Sequence, residues 1–407
     1  MTSIATSTAS GIGGSTAARE LDTIVAWEDP APAIGRAERE ARLDKARALM
    51  GEARADALLV GAGASLRYFA GVPWGASERL VALLLPREGR PILIAPRFER
   101  GTLEADLAID ADLRLWEEDE SPSDLVAAAL REIGAGTLAI DPGMAFLFVD
   151  RIRRAAPSLD LVEGGGIVDG CRMYKSAAEL ALLQQAKSMT LEVQRRAARI
   201  LHHGIRASEV ARFLDAAHRA IGAPGGNGFV IVQFGLASAF PHGLPGDRVL
   251  EEGDIVLIDT GCIIQGYHSD ITRTYVFGEP SAEQRRIWEL EQEAQAAAFA
   301  AAEPGAPCEQ VDYASRKVLE GAGLGPDYRL PGLPHRTGHG IGLSIHEPAY
   351  LVRGDRTPLA PGMCFSNEPM IVVPDRFGVR LEDHFYMTAD GPRWFTEPSP
   401  SIDRPFG

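Results

Sequence analysis

No histidine precedes position 202 in this 407-residue chain, although nine occur from that position onward. Imidazole chemistry is thereby excluded from the first half. Cysteine is scarce too: Cys171, Cys262, Cys308 and Cys364 stand far apart. They lack the short paired spacings of a zinc ribbon or a redox motif, which leaves reduced, mostly buried thiols and a reducing compartment. No apolar stretch reaches the length that spans a bilayer. The opening "MTSIATSTASGIGGSTAARE" has no basic residue before Arg19 and no continuous apolar core, so it fails as a signal peptide.

Positive charge is also in deficit. The formal net charge is −15, and no local basic patch offsets it, so nucleic acid and anionic membrane surfaces are repelled at long range. Small molecules or peptides are the expected partners. Together these absences describe a cytoplasmic enzyme or binding protein, with residues 1–35 expected as a flexible polar tail outside the fold.

The remaining sequence reads as two domains. From Ala37 to Met50 apolar positions recur at helical spacing, and "ADALLVGA", "RLVALLLP" and "PILIAP" follow as short buried strands. "LVAAALREIG" reads as a helix and "TLAID" as a strand, so residues 36–170 are expected to form an α/β domain ending near "LDLVEGGGIVDG". Residues 171–407 open with two long amphipathic helices, "MYKSAAELALLQQAKSMTLEVQRRAARIL" and "ASEVARFLDAAHRAIG". Two more helices, Gly-rich loops and antiparallel strands complete an α+β domain.

Within that domain, "VLIDTGCIIQGYHSDITRTYVFG" reads as a hairpin. A turn centred between Ile264 and Gln265, with Gly261 and Gly266 beside it, sets Asp259 directly across from Asp270. A second hairpin, "SNEPMIVVPDRFGVRLEDHF", turns at Asp375 and sets Glu368 opposite Glu382. Directly opposed residues have Cβ atoms about 4.5–5.5 Å apart, a distance at which unpaired carboxylates repel. Acids near turns are ordinarily solvated. Here their neighbours Leu257, Ile258, Met370, Ile371 and Leu381 are core-like, so the charges point inward and something positive must lie between them. Oxygen donors with imidazole suit divalent Mn, Co, Zn or Fe, and four acids are too many for one catalytic zinc with an open position. Two metal ions are the expectation.

"HRTGHGIGLSIHEPAY" adds His335, His339 and His346 in a Gly-rich stretch. Any of them alone reads equally as a hydrogen-bonded core histidine. In combination, "PHG", "DTG" with "SDITRT", "TGHGIG", "NEP" and "VRLED" resemble the metallopeptidase family of prolidase and aminopeptidase P. The catalytic domain of that family has the pita-bread fold shared with creatinase and methionine aminopeptidase. The resemblance covers about residues 172 to 390, and the preceding domain matches the creatinase-type N-terminal domain in architecture.

By resemblance, Asp259, Asp270, His339, Glu368 and Glu382 fill the five metal positions in order. It further implies that His242 and His346 stabilise the oxyanion and that Glu368 relays the proton of a hydroxide bridging two metals. His335 and Arg380 would position the substrate, Arg380 having the equal alternative of orienting Glu382. His268 and His384 receive no role beyond the surface or a supporting position. The chain departs from the family at Val372, where a tyrosine is usual, and at Met370, where a glycine is usual; this pattern resembles the shorter bacterial Xaa-Pro dipeptidases. The activity implied is hydrolysis of Xaa-Pro dipeptides by a homodimer. Alternatives are an Xaa-Pro aminopeptidase, a hydrolase or lyase of a small non-peptide compound, and a metal-free binding module.

Overall fold

A computed structural model describes residues 11–407, so the first part of the expected tail, residues 1–10, lies outside the described residues. The chain divides into two compact units, one formed by residues 33–173 and one that runs from residue 174 to the end and takes in the described residues 11–32.

Residues 33–173 build a six-stranded mixed sheet. Its strand order is Asp112–Trp116, Ile92–Pro96, Ala82–Pro86, Ala57–Gly61, Thr137–Ile140 and Asp160–Glu163. Ala57, Leu59, Ala82, Leu84, Ile92, Ile94, Leu138 and Ile140 alternate along their strands and bury one face in a common core. The residues between them, Leu58, Val60, Leu83, Leu85 and Leu93, are buried as well. A sheet covered on both sides explains why these strands read as unbroken apolar runs. Pro122 in the first turn, with Ser121 capping the Asp124 amide, starts the Pro122–Glu132 helix. Short helices at Ala64–Ala70, Arg100–Asp106, Phe146–Ala155 and Gly165–Arg172 carry too few periodic positions to be read from sequence.

The second unit opens with the Ala177–Arg199 helix, which a Ser176–Glu179 capping box begins, and the Ala207–Ile221 helix, which Gly222 ends in the left-handed conformation. They cover a sheet ordered Ile271–Val276, Ile255–Ile264, Asn227–Phe234. The helices Ala282–Ala301 and Cys308–Gly321 pack on each other. A five-stranded sheet follows, ordered Glu347–Leu351, Gly338–Gly340, Cys364–Asn367, Asp383–Thr388 and Gly391–Trp394, together with the ribbon Met370–Val373/Phe377–Arg380.

The expected tail is corrected for its described part. Residues 11–32 belong to this second unit: the Gly13 amide donates to the Ala198 carbonyl and that of Trp27 to the Ile221 carbonyl, and Arg196 donates to the Thr23 hydroxyl. Glu20, on the short Ala17–Asp22 helix, is buried between Arg196 and Arg199. Backbone and polar groups make most of this docking, and such contacts leave no periodic signal in the sequence.

The first carboxylate hairpin is corrected in register. Its turn is Gln265–Gly266, with φ of 49° and 93°, a two-residue loop one position beyond the expected centre. Asp259 therefore pairs with Thr272, and Ile271 with Thr260. This register projects Asp270 opposite Gly261, diagonal to Asp259 but on the same face. Gly261 itself is needed for space: a Cβ there would lie 1.8 Å from the Ser269 carbonyl oxygen. The second hairpin keeps its expected register, with Met370 opposite Arg380 and Asn367 opposite Asp383, so Glu368 and Glu382 sit opposed between two paired stretches.

Gly261→Ala is accordingly expected to displace the Ser269–Asp270 segment and lower unfolding free energy by about 1–3 kcal/mol or more, the range for overpacking. Denaturant titration of this variant against wild type measures it, and an unchanged midpoint would contradict the close approach.

Candidate active site

Two hairpins from different sheets meet at one backbone contact, the Glu382 amide donating to the Thr272 carbonyl at 3.1 Å. Around it opens a cavity of about 740 Å³. Asp259, Asp270, Glu368 and Glu382 line it together, with His242, His335, His346 and Arg380. Apolar wall comes from Phe229, Val230 and Ile231 on the Asn227–Phe234 strand, and from Ile345. Sequence reasoning passed over that strand, which is a continuous apolar run preceded by glycines.

Three of the four acids are held by side chains on the adjoining strands. Thr272 donates its hydroxyl to Glu382 Oε2 at 2.8 Å and accepts from Arg380 Nε at 3.1 Å. Arg380 also forms an ion pair with Asp259. Its reach to Glu382 is thus indirect, through Thr272, and Asp259 is the acid it touches. Ser366 donates to Glu368 Oε1 at 3.2 Å and accepts from the His339 amide at 2.9 Å. Neither Thr272 nor Ser366 was singled out from sequence, although both stand two residues from an acid, on the same face of the strand.

His339 is almost fully buried, with Nδ1 3.0 Å from its neighbour Gly340's carbonyl. That carbonyl can only accept, so Nδ1 carries the proton and Nε2 presents a lone pair. The lone pair faces Glu368 Oε1 at 3.1 Å and Asp270 Oδ2 at 3.8 Å. Acceptors face acceptors. Further, Asp259 Oδ1, Asp270 Oδ1 and Glu382 Oε1 are buried without any hydrogen-bond partner. Leaving a buried acceptor unsatisfied costs on the order of 1–3 kcal/mol, more for a charged one.

The titration behaviour expresses the same conflict. Burial first, then the charges of Glu382, Asp259 and Glu368, pushes Asp270 well above the ordinary carboxylate value. Glu382 is raised well above its own by burial and by Glu368 and Asp259. Asp259 is raised by burial despite Arg380. For Glu368 burial is outweighed: once His339 also holds a proton on Nε2, its hydrogen bond and charge, with His335 and Arg380, hold the Glu368 carboxyl down at about 2.

The other histidines separate clearly. His335 is half-buried, its Nδ1 2.7 Å from the Arg336 carbonyl, and Arg316 fixes this loop by donating to the His335 carbonyl while paired with Asp312. His346 stacks edge-on to His339 with ring centroids 4.1 Å apart, and burial of its inner flank, with His339 and Arg336 beside it, pushes it down to about 4. His242 is exposed on the loop at the cavity wall. His268 is half-buried outside the cavity lining. His384, expected at the surface or in a supporting position, is fully buried, and both its ring nitrogens lack partners. Val372 lies in the apolar core, its backbone paired with Gly332, and does not line the cavity. Arg336, unremarked in the sequence, lines the cavity and lies over the Tyr350 ring. No carboxylate pairs with it among the described residues.

The family model for metallopeptidase family M24 matches residues 181–389, and that for the creatinase/prolidase N-terminal domain matches residues 42–174. This chain belongs to metallopeptidase family M24. Its fold is accordingly a creatinase-type α/β N-terminal domain joined to an α+β pita-bread catalytic domain. The chain is 39% identical over 355 residues to a probable dipeptidase PepE of Mycobacterium tuberculosis, covering 86% of this chain and 92% of that protein. It superposes on the crystal structure of dipeptidase PepE from Mycobacterium ulcerans with a TM-score of 0.82 and 36% identity, over 90% of this chain and 97% of that one. The recombinant prolidase from Thermococcus sibiricus gives 0.81 and 30%, over 90% and 98%. Among the described residues, no helix is long and apolar enough to cross a membrane.

The raised acids dictate how an M24 protein stripped by chelation responds to pH. Folded, Asp259, Asp270 and Glu382 keep protons that the unfolded chain releases, so stability falls as pH rises above their ordinary values of 3.8 and 4.5. The depressed Glu368 acts in a separate window: its contribution is present above 4.5 and is lost as pH falls towards 2. Melting of chelated protein between pH 5 and 8 should therefore show a midpoint that declines with pH, and excess divalent metal should flatten the decline. A midpoint that rises across this range would contradict the charge assignment.

Proposed function

We propose that this chain hydrolyses Xaa-Pro dipeptides and requires two divalent metal ions. The observation carrying this reading is the set of unpartnered buried oxygens on Asp259, Asp270 and Glu382 that line one cavity, with His339 Nε2 directed at the acids from 3.1 Å (Glu368) and 3.8 Å (Asp270). Such donors together call for cations. Asp259, Asp270, His339, Glu368 and Glu382 would hold them, and Mn, Co, Zn or Fe suits this oxygen-rich set. When bound, the ions supply hydroxide at neutral pH and polarise the scissile carbonyl.

The chain's own groups divide the remaining work. Glu368, kept ionised by the charges beside it, Arg380 among them, accepts the proton of the attacking water and returns it to the leaving nitrogen. With Val372 buried in the core, proton transfer rests on Glu368 without a tyrosine relay. His346 and His242 donate to the oxyanion that develops on the carbonyl. Arg380 is committed to Asp259, so Arg336 and His335 receive the free carboxylate of a dipeptide. The proline preference draws support from the prolidase among the similar structures and from the apolar wall of Phe229, Val230, Ile231 and Ile345. The four cysteines are buried and unpaired, in keeping with a reducing cytoplasm, and a homodimer is the assembly we propose.

The test is a panel of Ala-Pro, Leu-Pro, Ala-Ala and Ala-Pro-Ala at saturating metal. The Xaa-Pro dipeptides should be cleaved fastest, with activity lost on chelation and restored by Mn, Co or Zn. Equal rates on Ala-Ala would remove the proline assignment, and faster cleavage of the tripeptide would make the enzyme an aminopeptidase. His346→Ala should lower kcat by roughly 10²–10³ with metal content retained, as for loss of one oxyanion donor. Loss of metal from this variant would instead make His346 a ligand.

A further inference from the structure

His384 is not explained by the five-ligand centre. Its ring is fully buried, yet Nδ1 and Nε2 both lack hydrogen-bond partners. A neutral imidazole has one donor and one acceptor, so two idle nitrogens in a closed interior require an occupant. The strand geometry indicates where it lies. On the Asp383–Thr388 strand, Asp383 turns away to pair with buried Arg273, while His384 falls on the same side as Glu382, two residues before it. Across the ladder it opposes Ser366, which holds both Glu368 and the His339 backbone. The ring therefore faces the acids. His384 Nε2 lies 3.9 Å from Glu382 Oε1, itself an unpartnered buried atom. Ligand atoms of Asp270, Glu382 and His384 all lie within 4.8 Å of one another, a spacing that one ion satisfies.

We propose that His384 is a sixth ligand of the metal centre, giving a nitrogen to the ion that Asp270 and Glu382 hold. This inference rests on the metal-dependent reading above and adds to it. With His339 facing Asp270 and Glu368, the centre would carry two imidazoles in place of one. Imidazole suits zinc and cobalt, whereas an all-oxygen set suits manganese, so His384 also biases which ion is retained.

X-ray absorption of protein loaded with two zinc ions per chain counts imidazoles by their multiple scattering. Wild type should give one imidazole per zinc on average, and His384→Leu one half. Calorimetric titration of the same proteins should show one of two zinc sites weakened by at least tenfold in the variant, and the zinc-over-manganese preference reduced. His384→Asn serves as the second variant, because it keeps a polar side chain if the leucine impairs folding by circular dichroism. A wild-type average of one half imidazole per zinc would overturn the proposal, as would unchanged zinc affinities in a folded variant. Failure of wild type to bind any zinc would instead overturn the metal-dependent reading on which it rests.

Discussion

Four enclosed carboxylates facing a single cavity are the constraint on which this structure depends. Burial and mutual repulsion raise three of them, and the chain answers with one committed cation, Arg380 on Asp259. Lys187, fully buried nearby, is itself pushed down to about 8 by that burial and supplies only weak compensation. A fold that buries so many acids together must hold them rigidly, or they would turn to solvent. The supporting contacts do this. Thr272 and Ser366 each fix one acid, and the Arg273–Asp383 pair with Gln295 locks the strand that carries Glu382.

That locking pair illustrates what burial asks of a charged residue. Arg273 is wholly enclosed, and it donates to Asp383 and to the carbonyls of Thr272, Glu382 and Glu397. Removing one partner of such a pair ordinarily costs about 3–5 kcal/mol, because the other is left charged and unsolvated. The residues on either side of Thr272 and Glu382 are thus tied across the junction between the two hairpins. Precision at the site comes from backbone registry, and side-chain rotamers add little freedom to it.

Much of this was legible in the sequence, and the errors have physical causes. Glu368 and Glu382 could be opposed from their numbers alone, because the ribbon turns symmetrically about Asp375 and the same register continues on both sides. Asp259 and Asp270 were misaligned by two positions, since the reading did not place positive φ at Gln265. The inward face survived because strand periodicity is two; a slip of one would have turned an acid outward. His384 was beyond reach, as its burial depends on a strand edge closed by Phe395 and on the neighbouring helix that carries Lys187. Arg336 was hidden beside the more familiar histidines, and the docking of residues 11–32 lies in backbone contacts that leave no pattern.

That docking sets an order of events during synthesis. Thr23 leaves the ribosome long before Arg196, its partner 173 residues later. At about 5–20 residues per second the interval is roughly 9–35 s. Residues 33–173 have their own core and can close during that wait, as domains generally fold as units. The leading segment must therefore stay unengaged while one globule forms behind it, then return to the helices of another. Its apolar residues come in runs of at most four, which suits that delay: a longer greasy stretch waiting as long would find the wrong neighbours first.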